Sequence, residues 1–415
     1  MTKPPSRSSA PGAAMATASG NKALPLIRLR PGAHRRAQYG HPWVYSNEIA
    51  MDAKARALAP GTAVTLMAED GHRLGTFLFN PHALIAARLI DSRPDTPIDT
   101  ALLADRIGRA KALRDRLFDR PFYRLIHAEA DGLPGTIVDR YDDLLVVQIN
   151  TAGMDALTPE LMAALETTLA PQTILLRNDS SARTLEGLPE EIRVAKGAID
   201  APVTVIENHV TFIADPGGGQ KTGWFFDQRD NRAMVARLAR DKRVLDLYTY
   251  MGGFALAAAN AGARSVLAVD RSEPALTLAA EAARRNKLAD RVTFRRGEVF
   301  AVTESLIDAG ERFDIVIADP PAFVKSKKEL NQGARGYRKL ARLAATLVKP
   351  GGFLFIASCS HNMPADEFGE QVRRGLFDAG RSGRILARTG AAPDHPLHPA
   401  LPESAYLKAE LIALD

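Results

Sequence analysis

Val244-Leu245-Asp246-Leu247-Tyr248-Thr249-Tyr250-Met251-Gly252-Gly253-Phe254 decides the fold of this chain. A short apolar run carries an acid near its end, a polar turn with paired glycines follows, and a helical apolar pattern begins at Phe254. Downstream the rhythm repeats, with strands at Ser265 to Val269, Val292 to Phe294, Phe313 to Ala318 and Phe353 to Ala357, and helices at Pro274 to Asn286 and near Tyr337 to Val348. Apolar strands that alternate with helices predict an α/β, doubly wound, mostly parallel sheet. Such sheets bind nucleotide-like ligands beyond the carboxyl ends of their strands, so the residues there are the first candidates for chemistry.

Acids stand at successive strand ends. Asp246 closes the first strand, Asp270 the second, and Glu298 follows the third in Gly297-Glu298-Val299. The first meets a cationic group, the second accepts from ribose hydroxyls, and Glu298 with the Val299 amide is placed to hold an adenine edge. The three-glycine dinucleotide fingerprint is absent. This pattern resembles the class I S-adenosylmethionine-dependent methyltransferases, whose cofactor carries a sulfonium and no pyrophosphate for a helix N-terminus to hold. The resemblance implies a Rossmann-like catalytic domain with a seven-stranded sheet, S-adenosylmethionine as cofactor, and Asp246, Tyr248, Gly252, Gly253, Asp270, Arg271, Glu298 and Val299 around it.

The fourth strand runs into Asp319-Pro320-Pro321-Ala322-Phe323, and the fifth into Ser358-Cys359-Ser360. Two prolines fix the first of these exits, because each locks φ and restricts the residue before it. The loop resembles the Asp-Pro-Pro-aromatic loop of methyltransferases that act on nucleobases, which makes Asp319 a catalytic candidate that also borders the cofactor, and Pro320 and Phe323 base-facing ones. Cys359 is the only cysteine of the chain. A lone cysteine is more often a small buried hydrophobe than a nucleophile. Carbon 5 of cytosine, however, becomes nucleophilic only after a thiolate adds to carbon 6, and adjacent parallel strands place Cys359 and Asp319 at one crevice. Both together favour carbon methylation with Cys359 as nucleophile. Two rivals stay open: an N2-guanine methyltransferase with a structural Cys359, and a ribosome-assembly or RNA-binding protein with a vestigial catalytic domain.

The 415 residues suffice for two or three domains, and one cysteine excludes a disulfide framework, which favours a reducing, cytoplasmic setting. No apolar run is long enough to span a bilayer. Residues 1–22 read as a disordered tail without the apolar core of a secretion signal. Short strands separated by turn signals predict a small β-rich domain over 23–95, basic through residues such as Arg28, Arg30 and His41. An amphipathic helix from Thr100 to Phe118, a hairpin turning at Asp142-Asp143 and a further helix and strand predict a central α+β domain over 96–200, and the catalytic domain takes 201–415. Glu186 to Pro202 reads as a linker or long loop. The net charge is +6, and Lys325, Lys327, Lys328, Arg335, Arg338, Lys339 and Arg342 crowd one segment with a single acid, Glu329. A charge run is commonly a solvated face, but beside a catalytic site it serves a polyanion. His395 and His398 lack metal-ligand spacing, so no metal is assigned.

Arg28-Leu29-Arg30-Pro31-Gly32 with His41-Pro42-Trp43, Glu129-Ala130-Asp131-Gly132-Leu133-Pro134-Gly135, the run from Gln220 to Arg232, Asp319-Pro320-Pro321 and Ser358-Cys359-Ser360 together resemble the bacterial large-subunit ribosomal RNA cytosine-5 methyltransferases that carry an N-terminal PUA domain. That resemblance covers nearly all of the chain beyond the tail. It implies ribosomal RNA as partner, an RNA-binding PUA domain in which Arg28, Arg30, His41 and Trp43 contact RNA, and phosphate contacts from Lys325, Lys327, Arg335 and Arg338. It also implies that the Gln220 to Arg232 run closes over the cofactor through Phe225, Gln228 and Arg229; the run reads equally as the start of a domain-joining helix capped by Asp227. A homodimer is left open. Related RNA cytosine-5 enzymes keep a second cysteine in the fourth-strand loop to help release product. This loop has none, so release falls to another base, Asp319 or a water. Glu298 stands where relatives often have Asp.

Overall fold

The computed structural model describes residues 23–219 and 222–415. The tail expected over 1–22 lies outside the described residues, as do Gln220 and Lys221.

Turn-separated short strands build the first sheet, from β1 (Leu26–Arg28), β2 (Trp43–Tyr45), β3 (Thr62–Met67), β4 (Arg73–Phe79) and β5 (Ile85–Asp91), in the order β1-β3-β4-β5-β2. Its core is the apolar face of Ile27, Val44, Val64, Leu66, Phe77 and Phe79. A second five-stranded sheet comprises β6 (Phe122–His127), β7 (Thr136–Tyr141), β8 (Leu144–Ile149), β9 (Thr173–Asn178) and β10 (Glu191–Lys196), in the order β10-β9-β8-β7-β6. The Asp142-Asp143 turn joins β7 to β8 with Asp142 at φ +58°. Glu191–Lys196, expected in a linker or loop, instead pairs antiparallel with β9 as an exposed edge strand. Its charged residues mask the strand pattern, and charge is how natural sheets protect an edge. The helices Thr100–Leu117 and Thr158–Leu169 cover one face of this sheet.

β11 (Val203–Glu207) and β12 (Val210–Ala214) form a two-stranded ribbon that leads into the large sheet. That sheet contains β13 (Arg243–Leu247), β14 (Ser265–Asp270), β15 (Val292–Arg296), β16 (Phe313–Ala318), β17 (Val348–Ser358), β18 (Gly383–Thr389) and β19 (Lys408–Leu414), in the order β15-β14-β13-β16-β17-β19-β18. The first five strands in this order run parallel, and β19 is antiparallel to both neighbours. The strand order reverses between β13 and β16, which is where such sheets open a crevice. On one face the helix Gly253–Asn260 is so rich in alanine that almost all of it is buried. On the other, Gly333, Ala334, Tyr337, Leu340, Ala341 and Ala344 recur at helical spacing and bury one stripe of the helix Leu330–Leu347.

Candidate active site

The turn after β13 is built to approach a ligand. Tyr248 and Tyr250 hold φ of +64° and +51°, and Gly252 holds +79°. Residues with side chains avoid that region, so two left-handed tyrosines represent backbone strain that surrounding bonds must hold. Those bonds run to β14: Thr249 N–H donates to Val269 O at 3.0 Å and Tyr250 N–H to Asp270 Oδ2 at 2.9 Å. A side chain at Gly252 would also meet Ala279 Cβ at 3.1 Å. Asp270 accepts from Ser272 N–H at 2.8 Å as well, so it frames the loop while bordering the cleft.

Asp246 is 1% exposed. Its Oδ2 accepts from Thr249 Oγ1 at 2.5 Å and Ala255 N–H at 2.9 Å, whereas Oδ1 has no hydrogen-bond partner among the described residues. Burial pushes the carboxyl up to about 7 against those two bonds, and the Asp319 and Asp270 charges add to the rise. A buried acceptor without a partner is costly unless a ligand completes it.

β16 and β17 bring the other two sequence candidates together. Ala318 pairs with Ile356, so Asp319 and Cys359 emerge from neighbouring strands at one end of the sheet. Cys359 Sγ lies 3.8 Å from Pro320 O. Ser358 and Ser360, on either side, are fully buried: Ser358 Oγ donates to Tyr337 Oη at 2.8 Å, Tyr337 Oη and Ser360 Oγ share a bond of 2.8 Å, and Val324 N–H donates to Ser360 Oγ at 3.1 Å. The thiol itself is half-buried and faces the cleft. The β16 exit packs tightly on the helix Leu330–Leu347, where a Cβ on Gly333 would lie 2.6 Å from Phe323 O. Phe323 stands among Tyr337, Phe300 and Tyr248, with ring centroids at 4.8, 6.2 and 6.5 Å.

Tyr248, Thr249, Tyr250, Asp270, Asp319, Phe323 and Cys359 line one cleft of ≈ 470 Å³, together with Arg271, exposed Glu298, Val299, Phe225, Gln228, Gly253 and Pro320, whereas Asp246 and Gly252 are not on its surface and Asp246 meets it through its bond to Thr249. Sequence reasoning missed Trp224, Asp227 and Arg232, which border it too. Buried Glu207 takes Arg232 bidentately at 2.6 and 2.7 Å and the Trp224 indole N–H at 3.3 Å, anchoring the segment 222–232 to the ribbon. Asp227 is no helix cap. Gln228 occupies the position before the helix Arg229–Ala236, and Asp227 Oδ2 accepts from Tyr406 Oη at 2.5 Å.

Several expected contacts fall elsewhere. Arg229 does not line the cleft; its guanidinium lies over Phe118 at 4.3 Å, donates to Phe122 O and neighbours Glu207 at 3.8 Å. Arg338 is bound bidentately by Asp378 at 2.6 and 2.8 Å. His41 is buried between Arg36 and Glu403, and the Trp43 indole donates to Glu129 Oε1 at 2.7 Å under the Arg88 guanidinium, so both join domains. Arg28, Lys325, Lys327 and Arg335 are exposed, and Arg30, also exposed, donates to Ile49 O. Among the described residues no group of three His, Cys, Asp or Glu side chains could hold a metal, and no helix is long and apolar enough to cross a membrane.

Residues 172–409 match the S-adenosylmethionine-dependent methyltransferase family, and residues 27–92 match a PUA-like domain. Ribosomal RNA large subunit methyltransferase I of Shewanella amazonensis is 38% identical over 391 residues, 92% of this chain and 97% of that protein. Its counterpart from Cronobacter sakazakii is 36% identical over 386 residues with the same coverage. The chain belongs to the ribosomal RNA large-subunit methyltransferase I family. A Streptococcus mutans chain assigned as an S-adenosylmethionine-dependent methyltransferase shares the fold, with a TM-score of 0.79 at 20% identity over 94% of this chain and all of that one. So does a methyltransferase solved with S-adenosylhomocysteine, at a TM-score of 0.79 and 19% identity. This member of the methyltransferase I family is therefore an S-adenosylmethionine-dependent enzyme with RNA as its class of partner. The orphaned Oδ1 of Asp246 fits such a cofactor, which brings cationic groups and donors to a site of acids.

Proposed function

We propose that this enzyme methylates carbon 5 of a cytosine in large-subunit ribosomal RNA through a covalent bond from Cys359 to carbon 6. The observation that carries the reading is the half-buried thiol opening into the cleft lined by Asp270, Asp319 and Glu298, while the serines on both sides of it are fully buried. A cysteine kept for packing would follow its neighbours inward.

In this reading Asp246, Asp270 and the loop Tyr248 to Gly253 hold the cofactor, with Arg271, Glu298, Val299, Phe225 and Gln228 completing its walls. When bound, the cofactor supplies an electrophilic methyl on a sulfonium. Asp319 and Pro320 O orient the amidine edge of the flipped base, whose extrusion from its stack is needed for any side chain to reach it. Cys359 loses its proton and forms the S–C6 bond, and the displaced π pair makes carbon 5 the nucleophile. After methylation the carbon 5 proton leaves to a base, the S–C6 bond breaks and the thiolate is restored. Exposed Lys325, Lys327 and Arg335 beside the loop would meet phosphates, and Arg28 and Arg30 those farther away.

Labelled cofactor incubated with ribosomal RNA, followed by nucleoside mass spectrometry, tests the reading. Label in 5-methylcytidine with the wild type and none with Cys359→Ala supports it. Label in N2-methylguanosine that survives Cys359→Ala refutes it.

A further inference from the structure

The antiparallel strand β19 brings a charged group to the nucleophile. Lys408 opens β19 and pairs directly with Ser358, one residue before Cys359. Its Nζ donates to Ser360 O at 2.7 Å and to Met363 O at 2.6 Å, the two ends of the turn that follows Cys359. An ammonium suits this place, since its three N–H groups only donate and both neighbours are carbonyl acceptors. The turn cannot drift from the lysine, because Ser360 is also fastened through its hydroxyl to Tyr337 and to Val324 N–H.

We propose that Lys408 is a positioning residue for the nucleophile: its ammonium pins the turn after Cys359 and supplies the positive field that holds the thiol as a thiolate. The proton released goes to solvent, and no other bond changes in that step. The inference rests on the reading in which Cys359 attacks carbon 6, since only the thiolate is the nucleophile. Arg232 and Arg271 are cations that line the same cleft, and phenols and a carboxylate face it as well. Tyr337, from the helix Leu330–Leu347, and Tyr406, ahead of β19, both have phenols raised by burial and stay protonated, and the Asp319 carboxylate shares the cleft from the β16 exit. His361 follows on the same segment and is exposed. Burial lowers the Lys408 ammonium and the charge of Cys359 acts in the opposite direction, as expected for two groups that feel each other.

Because Cys359 is the only cysteine, the pH dependence of alkylation by iodoacetamide reports this thiol alone, without RNA or cofactor. K408Q, which keeps a donor without the charge, and K408M, which keeps neither, should move the midpoint upward by about one pH unit and slow alkylation at pH 7 about tenfold. K408R should keep the midpoint near that of the wild type. A merely structural lysine would change thermal stability and leave the midpoint in place. Equal midpoints in wild type, K408Q and K408M overturn the proposal. If both neutral variants fail to fold, the wild-type midpoint decides: a value below that of a free thiol, about 8.5, sustains the proposal, and one at or above it overturns it. The outcome is separable from the cytosine reading: 5-methylcytidine formation with no midpoint shift removes only the role of Lys408, and a midpoint shift with another nucleoside product removes the cytosine assignment.

Discussion

Asp246→Asn should make the protein without cofactor more stable and its cofactor binding weaker, and both effects should depend on pH. The carboxyl is raised from 3.8 to about 7 by burial and by the Asp319 and Asp270 charges. An acid whose pKa is higher in the fold than in the unfolded chain binds more protons when folded, so its contribution is complete below about pH 4 and lost as pH rises to about 7. A displacement of about three pH units corresponds to about 4 kcal/mol of lost stability at pH 8. The asparagine recovers only part of this. Its oxygen can take over the Thr249 and Ala255 bonds, but its amide then occupies the place of the orphaned Oδ1 and leaves a donor unpaired at a cost of about 1–3 kcal/mol. The net gain is about 1–3 kcal/mol at pH 8 and near zero at pH 5, which for a domain of this size amounts to a few degrees in Tm at the higher pH. Binding runs the other way, because a cationic cofactor selects the ionised carboxylate. Wild-type affinity should rise about tenfold between pH 6 and pH 8, and the variant should show a flat, weaker profile. Scanning calorimetry at both pH values with titration calorimetry of S-adenosylmethionine checks the pair of effects. A variant less stable than wild type at pH 8, or wild-type affinity indifferent to pH, would refute the reasoning.

Tyr337→Phe removes the hydroxyl between the buried Ser358 and Ser360 hydroxyls and should cost about 1–3 kcal/mol in chemical denaturation, with slower methyl transfer because the thiol loses its frame. Arg232→Met removes the bidentate partner of the buried Glu207 carboxylate, leaving it the Trp224 indole N–H and Arg229 at 3.8 Å, and should cost up to about 3–5 kcal/mol, much of it recovered in a double variant with Glu207→Gln. Lys325→Ala with Lys327→Ala should weaken RNA binding across sequences and reduce the slope of log affinity against log salt by about 0.7 for each phosphate no longer neutralised, measured by fluorescence anisotropy; an unchanged slope would place the RNA elsewhere.

The large sheet was legible because parallel strands buried on both faces read as apolar runs, and the acids that end them stand out against Val, Leu and Ala. Asp246, Asp270, Asp319 and Cys359 converge for that reason alone. Charged residues were harder to place, since a sequence does not say which partner a charge will find. Arg229, Arg338, His41 and Trp43 looked available to ligands and are committed to Phe122, Asp378, Glu403 and Glu129. Glu207 and Lys408 escaped notice for the converse reason: each matters through a residue remote in the chain, Arg232 and Ser360, brought near by a ribbon and by an antiparallel strand. The Tyr406-Leu407-Lys408 stretch closing the sheet carries no motif. Only pairing with β17 gives it a place beside the thiol.

Ribosomal RNA containing 5-fluorocytidine offers the most direct test of the covalent route, because fluorine at carbon 5 cannot leave as a proton does, and the S–C6 bond, once formed and followed by methylation, cannot break. Denaturing electrophoresis and peptide mass spectrometry should then find a stable protein–RNA adduct on Cys359 that requires S-adenosylmethionine. Ordinary turnover of cytosine-containing RNA with no adduct on the fluorinated RNA, or an adduct on any other residue, would contradict the account.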